Sequence, residues 1–124
     1  MINFYQLKAK TLRSGHVGER ELDLLCEELY AESRLDFEIA EFLASIRREA
    51  RSVCAAFELL FVDVVALNTL VDGAISADGA AWLRKLLVTN GPATEADKKL
   101  LWELKRKTKT VCPEFRQLYE ECVG

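Results

Sequence analysis

The stretch CAAFELLFVDVVALNTLV, from Cys54 to Val71, decides the fold. Its only polar members are Glu58, Asp63, Asn68 and Thr69, and on a helix turning about 100° per residue they scatter and define no solvent face. A helix apolar nearly all round is a buried one, so the segment predicts the central helix of a small all-α domain. It does not predict a membrane span. The segment is shorter than the roughly 20 residues a bilayer requires, and it would carry Glu58 and Asp63 into hydrocarbon.

A chain of 124 residues is the size of one domain, able to remove about two-thirds of its unfolded surface from water. Half of its residues are apolar, 30% are charged and only two are proline, a balance typical of ordered globular domains rather than disordered chains. The opening residues, MINFYQLKAKTLR, lack the apolar core of a signal peptide, so a cytoplasmic protein is expected. Cys26, Cys54, Cys112 and Cys122 show no CxxC spacing, and the single histidine, His16, is distant from them in sequence. That pattern suits small buried hydrophobes better than a zinc site, a disulfide or a catalytic thiol.

The net charge of −3 is unevenly spread. From Glu19 to Glu41 nine acids (Glu19, Glu21, Asp23, Glu27, Glu28, Glu32, Asp36, Glu38 and Glu41) face only Arg20 and Arg34, a local −7. From Arg84 to Lys109 eight cations oppose Glu95, Asp97 and Glu103, a local +5. Such asymmetry speaks to partners and association rather than to fold.

Working outward from the central stretch, hydrophobic spacing predicts helices over residues 2–13, Glu19 to Tyr30, and from an N-cap at Asp36 through Phe37, Ala40, Leu43, Ile46 and Ala50. Nothing in that spacing stops the last of these before Val71. An internal repeat supplies the stop, because setting Thr11 on Thr69 aligns the chain on itself without a gap. In that register TLRSG at Thr11 meets TLVDG at Thr69, and SVCAAF at Ser52 meets TVCPEF at Thr110. Pro113 belongs in a first helical turn, so a helix ends near Lys109 and another begins at Pro113; the equivalent break falls at Arg51 to Val53. Helices at Ala77 to about Val88 and from a capping box at Thr94 and Asp97 complete a set of seven. The expectation is a single domain, 1–124, made of repeat halves at about 1–61 and 62–124. Cys54 to Val71 then becomes the joint between them.

Four turns begin at Ser14, Glu32, Asp72 and Asn90, with Val17, Leu35, Ile75 and Ala93 at the apolar fourth place. Glycine permits such turns, the apolar residue plugs the core, and acids at the next helix start complement its dipole. A second reading assigns Asp72, Asp78, Glu95 and Asp97 as hard oxygen ligands for a divalent cation such as calcium or magnesium, drawn from two turns. The loop DGAISADGAAWL is not an EF-hand, since Ala74, Ala80 and Leu83 occupy ligand places.

The Asp72 to Ile75 turn, the Trp82-Leu83-Arg84 helix, a second turn at Asn90 and the closing Pro113-Glu114-Phe115 carry a family resemblance. Over roughly Leu67 to Cys122 the chain resembles the TerB-like (tellurite-resistance) family. The resemblance implies a compact bundle of about seven helices, no known catalytic activity, an acidic surface for divalent cations, and a part in bacterial stress responses. It carries Asp72, Glu95 and Asp97 over as matches. Gly79 stands where a partner acid belongs, with Asp78 beside it, while Asn90 and Thr94 replace the acids of the second turn.

No acid–base pair or triad is evident around His16, and the charge balance, with Trp102 alone among the cations, does not predict nucleic-acid binding. Asp63 and Asn68 are expected to be partly buried and hydrogen-bonded. The sequence therefore predicts a non-enzymatic regulatory or stress-response binding module with a protein partner, reading a basic surface or a cation through the Glu19 to Glu41 face. The alternatives are a self-associating protein with acidic-to-basic contacts and an enzyme with an unrecognised site.

Overall fold

Short polar side chains cap the helix starts and take up backbone N–H groups that have no partner within the helix. The computed structural model describes residues 3–31, 35–88 and 94–123, and seven helices lie within them: α1 (Phe4–Thr11), α2 (Glu19–Ala31), α3 (Phe37–Glu49), α4 (Ala55–Thr69), α5 (Ala77–Val88), α6 (Glu95–Lys107) and α7 (Pro113–Val123). Asn3 accepts from the Gln6 N–H, Asp36 from the Ile39 N–H, and Thr94 and Asp97 form the reciprocal capping box. The fold is all-α. Four strands of two residues each accompany the helices: β1 (His16–Val17), β2 (Ser52–Val53), β3 (Leu70–Val71) and β4 (Ala74–Ile75). β1 runs parallel to β2, and β3 pairs antiparallel with β4.

The break that the repeat predicts at Arg51 to Val53 is present. α3 stops at Glu49, Ala50 turns to extended backbone at φ −72° and ψ 145°, and β2 follows before α4 starts. α7 opens at Pro113, as the missing proline donor requires.

The chain divides into two compact units, Met1–Val65 and Ala66–Gly124, with the boundary inside α4. In unit 1, α1 packs on α2 and α3, and Leu25, Leu29, Leu43, Ile46, Phe57 and Phe61 are buried. In unit 2, α7 packs on α5 and α6 over Leu83, Leu100, Leu101, Leu104, Phe115 and Leu118. Each such side chain contributes roughly 1.5–3 kcal/mol on leaving water.

Three expectations are corrected. α4 is not buried all round: Leu59 is 67% exposed and Leu67 62%, with Asp63 exposed between them on the same i, i+4, i+8 line. A solvent face made largely of leucine leaves no polar stripe to detect. For the same reason Asp63 is not partly buried, although Asn68 is. In α3, Phe37 is 44% exposed, while Ile39 and Phe42 join the buried stripe and Phe42 meets the Phe4 ring at 5.0 Å. Of the four apolar plugs, Val17 and Ile75 are buried and Leu35 is half-buried; Glu32, Asn90 and Ala93 lie outside the described residues.

Candidate functional site

Among the described residues, each unit contains one turn in which chemistry-bearing residues and unusual backbone coincide. In unit 1, Gly15 has φ +82°, a left-handed conformation that glycine adopts without penalty, and its carbonyl accepts the Arg51 N–H at 2.6 Å. The Val17 carbonyl accepts the Cys54 N–H at 2.8 Å, so the turn is sewn to the segment that precedes α4. His16 Nδ1 lies 2.7 Å from Ser52 Oγ, which adds a side-chain link alongside the β1–β2 pairing. Sequence spacing carried no sign of this pair. Among the described residues no carboxylate orients the other ring nitrogen, and both residues are exposed, so the pair lacks the third group that would activate a serine.

In unit 2, Asp72 and Gly73 have φ +53° and +80°, and the Gly73 carbonyl accepts the Lys109 N–H at 2.6 Å. Ala74 bridges to Thr110 in parallel sense, and Ser76 Oγ accepts the Gly79 N–H at 3.0 Å at the start of α5. Gly79 is buried, and an added Cβ there would stand 3.4 Å from Ile75.

The four acids assigned to a cation are placed as follows. Asp72 is exposed in the left-handed turn, and Asp78 is exposed in the first turn of α5. Glu95 pairs with Lys98 at 3.2 Å, while Asp97 is buried and accepts the Thr94 N–H at 3.0 Å. Among the described residues no three His, Cys, Asp or Glu side chains stand together in a group able to hold a metal ion. Asp97 is engaged by its own helix start.

The thiols are free, and burial pushes the Cys26 and Cys122 thiols above their ordinary range, with Asp23 and Glu121 respectively adding to the effect. A raised thiol holds less thiolate at neutral pH and is a poorer nucleophile. Within the Glu19 to Glu41 stretch, Glu19, Asp23, Glu27 and Glu28 of α2 are exposed, as are Glu38 and Glu41 of α3. Glu21 is half-buried and accepts the Gly18 N–H at 3.0 Å; Asp36 is a cap, and Glu32 lies outside the described residues. In the basic stretch, Lys105 sits 4.4 Å from the Tyr119 ring centroid and Arg106 4.8 Å from that of Trp102. Arg84 reaches Glu121 at 2.5 Å.

No family model, curated protein or solved structure matches the chain. Among the described residues no helix is long and apolar enough to cross a membrane.

Proposed function

We propose that this protein is a non-enzymatic cytoplasmic binding module that takes a basic segment of a protein partner on the outer face of α2. One observation carries the reading. Glu19, Asp23 and Glu27 repeat at i, i+4, i+8, all exposed, and none of them has an ion pair among the described residues. Like charges at that spacing destabilise a helix by roughly 0.2–0.5 kcal/mol per pair. A cationic partner offsets the cost and gains by steering. The 58% exposed Tyr30 at the end of the same helix adds an amphipathic contact.

The reading as a TerB-like module, and with it a role in stress response, rests on the sequence resemblance over roughly Leu67 to Cys122, with which seven helices among the described residues are compatible. α3 and α6 are equal in length, and the repeat register sets the first residue of one, Phe37, on the first residue of the other, Glu95. That coincidence supports descent of the two units from one duplicated half. A second reading, association of copies through acidic-to-basic contacts, is favoured by the opposed charges. Unit 1 carries eight Lys and Arg against twelve Asp and Glu, net −4, and unit 2 nine against eight, net +1.

The test is titration of a fluorescent lysine-rich peptide into wild type and Asp23→Ala/Glu27→Ala. The variant is expected to bind at least about fivefold more weakly while becoming slightly more stable, because relief of like-charge repulsion and loss of partner attraction have opposite signs. Unchanged peptide affinity would sink the reading. Light scattering at low and high salt separates the association of copies, which must dissolve as screening rises.

A further inference from the structure

Unit 1 is acidic as a whole, yet one cleft in it is basic. An open cleft of about 700 Å³ is walled by α1, the following turn and α2, and Lys10, Arg13 and Arg20 line it together with the apolar Ala9 and Leu24. Ser14 and Glu21 also line it; Ser14 is uncharged, and Glu21 offsets one of the three cations. The Ser14 hydroxyl is engaged with the His16 backbone, donating to its carbonyl and accepting its N–H, and Glu21 Oε1 holds the Gly18 N–H.

Lys10, Arg13 and Arg20 are exposed and make no ion pair among the described residues. Three cations against one occupied carboxylate leave the cleft at +2, and the positive end of the α2 dipole, which starts at Glu19, adds to that field. Guanidinium groups offer planar forks matched to phosphate oxygens, and a lysine adds a point charge. The volume lies within the roughly 300–1,000 Å³ of small-molecule sites, and exceeds what a bare phosphate fills. The matched places in the second half of the repeat, Asn68, Val71 and Asp78, keep none of the three cations, so the charge is not a by-product of the turn itself.

We propose that this cleft binds a small phosphorylated molecule, its phosphate dianion held by Lys10, Arg13 and Arg20. The proposal is independent of the acidic face of α2. Its test is calorimetric titration of the full chain at low ionic strength with inorganic phosphate and, separately, with adenosine 5′-monophosphate as a nucleoside phosphate probe. At least one probe is expected to bind below about 1 mM, and Arg13→Ala/Arg20→Ala to weaken it tenfold or more with unchanged circular dichroism. Lys10→Glu is expected to act in the same direction, while Arg48→Ala, an exposed cation outside the cleft, stays within about twofold. A nucleotide that binds tenfold tighter than phosphate identifies an organic phosphate resting on Ala9 and Leu24; equal affinities identify free phosphate. The proposal is overturned if neither probe binds below about 1 mM, if binding survives in the double variant, or if Arg48→Ala weakens it as much.

Discussion

The two units build one turn from opposite charges. Gly15 and Gly73 share a left-handed φ, and each carbonyl accepts a backbone N–H at 2.6 Å from a basic residue, Arg51 or Lys109. Around the first turn stand Lys10, Arg13 and Arg20; at the matched places of the second stand Asn68, Val71 and Asp78, with Asp72 matching Ser14. The backbone solution is therefore separable from what the side chains recognise. Glycine geometry and core packing are held alike, whereas the exposed charge is free to differ, because a surface charge costs little folding energy. That difference teaches where the proposed recognition would lie: in the residues that the two turns do not share.

The strongest test of the likeness concerns the cores. Phe57 and Phe115, which the proposed repeat sets on one another, are both fully buried. Phe57→Ala and Phe115→Ala are each expected to cost about 3–5 kcal/mol in denaturant unfolding, through lost burial and the cavity left behind. A cost below about 1 kcal/mol in one of them would break the comparison at its centre.

Next come the glycines. Gly15→Ala and Gly73→Ala are each expected to cost about 1–2 kcal/mol, since a Cβ in the left-handed region is strained in either turn. Gly73→Ala should be the worse by a few tenths, because its Cβ would meet Lys109 Cδ at 3.0 Å where the Gly15 Cβ meets Arg51 Cδ at 3.4 Å. Both obstacles are flexible side chains and can yield. A much larger gap would mean that the two turns bear different loads.

A smaller effect sharpens the contrast. Arg47 stacks 4.8 Å from the Phe61 ring and bonds Glu58 at 2.9 Å; its counterpart Lys105 stacks 4.4 Å from Tyr119, and Arg116 stands where Glu58 would. Glu58→Ala is expected to cost about 1 kcal/mol, after allowance for its partial exposure, by removing a bond to a largely buried guanidinium. Lys105→Ala, at an exposed site, should cost about half as much or less. Thermal denaturation of the two variants checks the order.

Much of this organisation was legible in the sequence. Pro113 in the second half exposed the break at Arg51 that hydrophobic spacing in the first half concealed, and Asp36, Thr94 and Asp97 announced their caps by residue type and spacing. What escaped was three-dimensional. Leu59 and Leu67 are apolar by type and exposed by placement, so no polar stripe betrayed the outer face of α4. The His16–Ser52 bond joins distant parts of the chain through a parallel pairing too short to leave an alternating pattern. Asp97 answered to both a cap and a ligand in the sequence, and in the fold its carboxylate accepts the Thr94 N–H as a capping residue does. Lys10, Arg13 and Arg20 come from separate elements and were diluted by the acidic count around Arg20.

The smallest expected effect is a dependence on pH at the contact of α5 and α7 in unit 2. Arg84 of α5 holds Glu121 of α7 at 2.5 Å, and this hydrogen bond keeps the Glu121 carboxyl below its ordinary range. A carboxyl lowered in the folded state contributes stability above its unfolded pKa of about 4.3, and that contribution fades as pH falls through the folded value. The matched places in unit 1 are Cys26 and Asp63, where no cation stands to hold an acid. Acidification from about pH 6 toward the carboxylate range should therefore loosen α7 by an increment that depends on Glu121, read as lower amide protection factors once the intrinsic exchange rate at each pH is divided out, on top of the general acid response. Glu121→Gln and Arg84→Ala should each remove that increment, and added salt should shrink it, because the pair is solvent-accessible and screened. If the acid response of α7 is identical in wild type and Glu121→Gln, the Arg84 pair contributes nothing to holding α7 on α5, and the buried Phe115 and Leu118 account for that contact alone.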